Sequence, residues 1–253
     1  MQDRWRFEDK DAAADWDTME RGIFSERRLL RIGFVGIGEG VGTTTVAAAA
    51  AAAIGKQHGR TVFLADAAQR DGKASAAESL CLTKALKGGR QVLYQNVNWK
   101  LVPNEKKLPA GSYVIVDQPP QLQWPACDVL VCVIDPLPSR ILAGLGRYRL
   151  LRQEESQRLL RREKSLLWVQ NKANVAADVQ EAERFLKLRF DVALPLLPQE
   201  FFYEAEYQQR PWLAKLYERS AFSPHANSEA ETFRLAVENL ASAIFAVLPQ
   251  FAI

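Results

Sequence analysis

Few folds accommodate the run Arg31–Val46, RIGFVGIGEGVGTTTV. A short apolar strand, Ile32–Val35, enters a turn that carries Gly36, Gly38, Gly40 and Gly42. Three threonines follow, then an alanine-rich helix, Val46–Ala53. Strand, glycine-rich turn and helix in that order form an anion cradle. The glycines let backbone N–H groups converge, and the helix N-terminus adds partial positive charge. Phosphate-binding loops of this kind place a lysine directly after the last glycine, to reach the outer phosphates. Here that position is Thr43. Two readings of Gly36–Thr45 therefore stand: a nucleotide or anion site short of a cation, or a relic loop that only shapes a tight turn.

The rest of the chain alternates apolar strands with helices. Strands are expected at Thr61–Ala65, Trp99–Val102, Tyr113–Val116, Val129–Ile134, Leu166–Val169 and Asp191–Leu194. Helices are expected at Thr44–Gly55, Ala74–Leu86, Ser139–Lys164, Ala177–Leu188 and Glu229–Val247. This pattern gives an α/β fold with a mostly parallel central sheet and helices on both faces, as in P-loop NTPases. Ligands of such sheets bind at the carboxyl ends of the strands, where Asp66, Asp117, Asp135 and Asn171 fall. Residues 1–28 are charge-dense but carry Trp5, Phe7, Trp16 and Phe24. They read as an N-terminal arm, either a packed helix or dimer arm or a disordered tail, ahead of a single domain over 29–253.

Composition excludes several classes. A net charge of +3 does not by itself require a nucleic-acid partner. Cys81, Cys127 and Cys132 lack metal-type spacing and read as buried thiols. His58 and His225 read as loop residues with no acid or serine pattern nearby. The N-terminus MQDRWRFEDKD is too charged for a secretory signal, and no apolar run nears the ~20 residues that span a bilayer. A cytoplasmic location is expected. The stretch Arg140–Lys164 holds eight basic and three acidic residues: a solvated helix face, a DNA-backbone contact or a protein-partner surface. The C-terminal FRLAVENLASAIFAVLPQFAI lacks a basic polar face and is expected to pack on the sheet.

Five segments, in order, resemble the ParA/MinD family of P-loop ATPases from residue 31 to about 247. GEGVGTTT resembles the family's KGGVGKTT loop, and VFLADAAQRDG its VLLIDADPQG strand end. YVIVDQPP resembles YDYIIVDTPP, and LLWVQNK the strand whose asparagine reads adenine. LPQEFFYEAEYQQRPW resembles IPYDPEVPEAEREGRPV. The resemblance leans toward the pilus-assembly branch (CpaE/TadZ-like), where the loop lysine is also often replaced. It implies a nucleotide, ATP or ADP with Mg²⁺, on Gly38, Gly40, Val41, Gly42, Thr43, Thr44, Thr45, Asp66, Asp117 and Asn171. Thr44 and Asp117 would serve the magnesium. It also implies a homodimer, for which the arm and Phe201–Trp212 are natural contacts.

Three family residues are missing. The loop lysine is Thr43, the signature lysine falls at Gly38, and the water-positioning acid falls at Ala68. Phosphoryl transfer needs charge neutralisation and a placed nucleophile, and losing one such donor typically costs ~3–4 kcal/mol in the barrier. Glu39 puts a carboxylate inside the anion cradle, where it would repel phosphates, while Arg31 and Arg70 are the sequence's candidates for replacement cations. The expectation is a degenerate ParA/MinD-like protein with little or no hydrolysis. It would position or scaffold a machine such as a pilus or secretion apparatus. The alternatives are a slow ATPase and a nonspecific DNA-binding partitioning factor.

Overall fold

The computed structural model describes residues 6–8, 29–59, 62–66, 91–94, 97–100, 112–118, 127–160, 165–173, 179–208, 212–217 and 224–248. The expected helix Ala74–Leu86, Ala68, Arg70, Cys81 and most of the N-terminal arm lie outside these residues. The described strands are β1 (Arg6–Glu8), β2 (Leu30–Gly36), β3 (Val62–Asp66), β4 (Gln91–Tyr94), β5 (Val97–Lys100), β6 (Tyr113–Gln118), β7 (Val129–Ile134), β8 (Leu166–Ala173) and β9 (Val192–Pro195). The helices are α1 (Thr43–His58), α2 (Pro138–Leu160), α3 (Val179–Leu186), α4 (Gln199–Gln208), α5 (Trp212–Tyr217) and α6 (Pro224–Val247).

One sheet runs β1-β4-β5-β3-β6-β2-β7-β8-β9. From β5 to β9 every pairing is parallel, and β4 and β1 close one edge antiparallel. The central strands are buried on both faces, so they read as unbroken apolar runs; all of Val129–Ile134 is buried. From β2 the chain crosses to β3 on one side, and from β7 it crosses to β8 on the other. Right-handed crossovers in opposite directions put α1 and α2 on opposite faces. The loop after β2 therefore sits at the point where the direction of winding reverses, which is where such sheets open a crevice.

α1 has no exposed stripe over most of its length. Ala47–Ala53 are all fully buried, between the sheet and α6. Methyl side chains allow this close approach on every side, and Lys56 and Gln57 then tie α1 to Glu238 of α6 at 3.1 Å each. The C-terminal helix packs as expected, burying Phe233, Val237, Leu240, Ala241 and Ile244. None of the described helices is long and apolar enough to cross a membrane.

Four elements were not foreseen: the three-residue strand β1 within the arm, the short strand β4, and the helices α4 and α5. The expectation that Phe201–Trp212 forms an exposed contact is corrected at its ends. Phe201 and Trp212 are core residues, their large apolar rings buried in the main hydrophobic cluster, while Tyr203 and Tyr207 face outward.

Gln170 in β8 is fully buried, and among the described residues neither amide atom finds a hydrogen-bond partner. An unsatisfied buried amide costs about 1–3 kcal/mol. Gln170→Met, similar in volume, is expected to raise stability by about 1 kcal/mol and the melting temperature by about 2–4 °C. A lower melting temperature in a calorimetric scan would refute this.

Candidate functional site

The loop begins where β2 ends. Ile37 N donates to Val133 O of β7 at 3.1 Å, so the first loop residue stays on the sheet. Gly40 and Gly42 then take φ of 68° and 85°, a left-handed conformation that side chains rarely adopt. Gly42 caps α1, and Val46 N reaches its carbonyl at 3.0 Å. At Gly42 a Cβ would lie 2.4 Å from Asn171 Nδ2, so only glycine fits.

Three successive loop carbonyls are each held by a side chain from α2 or β8. Arg140 Nη1 donates to Glu39 O at 2.9 Å, Lys172 Nζ to Gly40 O at 2.7 Å and Asn171 Nδ2 to Val41 O at 2.8 Å. In a trans peptide the N–H points opposite to the C=O. The N–H groups of Gly40, Val41 and Gly42 therefore face away from the three side chains that hold the loop. The N-terminus of α1 adds its partial positive charge. Arg140 lies flat against the loop because Gly40 has no Cβ, which would sit 3.2 Å from the guanidinium.

Lys172 also pairs with Asp135 at 2.9 Å, and Asp135 is 1% exposed. The second carboxylate oxygen of Asp135 accepts from Leu137 N at 3.1 Å. The pairing of β8 with β9 is irregular between Gln170 and Ala173, and Lys172 itself has φ 58°. Such an irregularity re-aims side chains at a strand end, and here Asn171 and Lys172 both reach the loop.

On the other side, Thr44 Oγ1 donates to Asp117 Oδ2 at 2.7 Å. Asp117 is buried at the end of β6, and Asp66 closes β3 in register beside it. A hydroxyl at the start of α1 and a carboxylate across from it suit a hard cation such as Mg²⁺. Among the described residues, no three His, Cys, Asp or Glu side chains gather to hold a metal. An ion on Thr44 and Asp117 would need oxygens from its ligand. Thr43 Oγ1 turns back toward Gly36, where a Cβ would meet it at 2.4 Å. Gly38 lies beside α2, with Arg140 O 3.7 Å from the position of a Cβ.

The sequence-predicted residues Gly38, Gly40, Val41, Gly42, Thr43, Thr44, Asp117 and Asn171 thus come together around one loop. Asn171, nominated as an adenine reader, has its amide nitrogen engaged by Val41. Arg31, nominated as a replacement cation, is at the far end of β2, some ~17 Å along the strand from Gly36. Its backbone N bonds the Asp128 carboxylate instead. The cations at the loop are Arg140 and Lys172, which reasoning from sequence proximity missed. Within the described part of Arg140–Lys164, residues 140–160, Arg152 pairs with Glu155, Arg158 pairs with Glu154, and Arg147 is half-buried, which pushes its pKa down to about 10. Burial pushes the Cys127 and Cys132 thiols up, so both stay protonated at neutral pH. Of the two histidines read as loop residues, His58 instead closes α1 and His225 lies in the first turn of α6, and His58 packs on Phe245.

No protein-family model matches the chain, and no curated protein does. Solved structures do. A ParA family ATPase from Chlorobium tepidum TLS superposes with a TM-score of 0.53 at 15% identity, over 86% of this chain and 99% of that one. The MinD cell division protein of Aquifex aeolicus gives 0.56 at 16% identity, over 87% and 97%. The same organism's MinC:MinD complex gives 0.55 at 16% identity, over 87% and 96%. With its parallel sheet, the loop after β2 and α1 behind that loop, the chain has the fold of the ParA and MinD ATPases.

Proposed function

We propose that the loop holds the phosphates of ATP or ADP, with Mg²⁺ between Thr44, Asp117 and the nucleotide, and that hydrolysis is slow or absent. One observation carries this reading: Arg140, Lys172 and Asn171 hold three successive carbonyls and so turn three N–H groups the other way. A loop that merely turns the chain would not need three clamps from two distant elements. Charge supports weak turnover. Thr43 and Gly38 stand where lysines would neutralise the transferring phosphoryl group, and the Lys172 charge is already paired with Asp135. MinD, whose fold this is, forms a complex with MinC. A dimeric positioning or scaffolding role, in which nucleotide occupancy controls partner contacts, fits a binding site with little catalysis.

Titration calorimetry with ATP and Mg²⁺ tests this. Binding near ~100 µM is expected, about −5.5 kcal/mol, with turnover at background. Thr43→Lys should tighten it at least about tenfold by restoring a cation to the loop. Asp117→Ala should weaken the Mg²⁺-dependent part. No heat from folded wild-type protein, and none from Thr43→Lys, would overturn the reading.

A further inference from the structure

At the opposite end of the strands from the loop, a second feature stands apart from any nucleotide. An open groove of about 700 Å³ runs between α2 and the turn after α3, and its charged lining is Arg152, Arg184, Lys187 and Arg189 with one carboxylate, Glu183. It shares Arg152, Leu188 and Arg189 with a narrower recess of about 220 Å³ that reaches Trp168 and Asp191. The carboxylates of this region are turned inward onto other donors. Glu183 accepts from Phe190 N at 2.9 Å, Asp191 from Trp168 N at 2.8 Å, and Glu155 from Trp168 Nε1 at 3.0 Å. The side chains of Arg184, Lys187 and Arg189 make no hydrogen bond or ion pair within the described structure. Lys187 also has φ 52° at the end of α3, a conformation that glycine or asparagine adopts at lower cost. Three unpaired cations therefore line one groove on a single turn, one of them on a left-handed backbone.

We infer that this groove is a docking site for an acidic, apolar-faced segment of a partner protein. Charge complementarity selects an anion. The surroundings select a peptide over a nucleic acid: Leu159 at the recess is 57% exposed, and Leu188 lines both the recess and the groove. Phosphodiester backbones offer such side chains nothing. Duplex binding also draws on many separated phosphate contacts, whereas the three unpaired cations that line this groove lie on one turn.

The inference is independent of the loop's ligand, so the two fail separately. Fluorescence anisotropy at low salt would use the full chain and three labelled probes. These are a helical peptide with glutamates on one face and leucines on the other, the same peptide with serine for leucine, and a short random DNA duplex. The leucine peptide should bind tightest. Arg184→Glu with Arg189→Glu should weaken it at least about tenfold. Lys187→Gly, which removes a charge while suiting the left-handed turn, should weaken it about threefold without lowering the melting temperature. Equal binding by the wild type and the charge-reversed variant would overturn the proposal. So would tighter binding of the duplex, which would make the groove a phosphodiester site, or no binding of the leucine peptide.

Discussion

Gly144→Ala is expected to cost about 2 kcal/mol, whereas Gly146→Ala, on the same helix, is expected to gain up to about 1 kcal/mol. Both glycines lie inside α2, where alanine is intrinsically the better helix former. The surroundings reverse the sign at one of them. A Cβ on Gly144 would lie 2.5 Å from Ile37 O and 2.9 Å from Ile37 C, and backbone atoms cannot rotate away as a side-chain tip can. A Cβ on Gly146 meets nothing within 4 Å. Paired calorimetric melts should separate the two variants by about 6–12 °C, at about 2–4 °C per kcal/mol for a domain of this size. Ile37 is the first residue of the loop, so Gly144→Ala should also weaken nucleotide binding while Gly146→Ala leaves it intact. If both variants melt higher than wild type, α2 does not press on the loop as described.

Lys172→Met is expected to be the most destabilising single change at the site, at about 3 kcal/mol. It leaves Asp135, 1% exposed, with a charge and only the Leu137 N–H for compensation. Exposed ion pairs are worth only about 0.2–1 kcal/mol, so the size of the loss distinguishes a buried carboxylate from a surface one. Asp135→Asn in the Lys172→Met background should recover most of the loss, because the uncompensated charge is then gone. A double-mutant cycle on thermal or denaturant unfolding reads this directly. A loss below about 1 kcal/mol would mean that Asp135 is solvated.

The central sheet was legible because strands buried on both faces must be continuously apolar, and VLVCVI or YVIV has no other easy reading. The edge was not. Arg6–Glu8 is too short to show any period, and Gln91–Tyr94 is defined by its antiparallel partners rather than by its own pattern. The loop was legible because glycines at left-handed positions leave a mark in sequence, as Gly40 and Gly42 do. Its cations were not. Arg31 was favoured by adjacency, but an extended strand carries it away from the loop. Arg140 and Lys172 arrive through a helix start and an irregular strand end, and no local pattern encodes either.

The three clamps also set an order of assembly. The bonds to Glu39, Gly40 and Val41 span 101, 132 and 130 residues of sequence. None of the three can form on a growing chain before Arg140 is made, and the last must wait for Lys172. The glycine loop is thus synthesised well before the three residues that hold it and takes its shape only after them. Until β8 is laid down, a nascent chain has the glycines of the site but not the site.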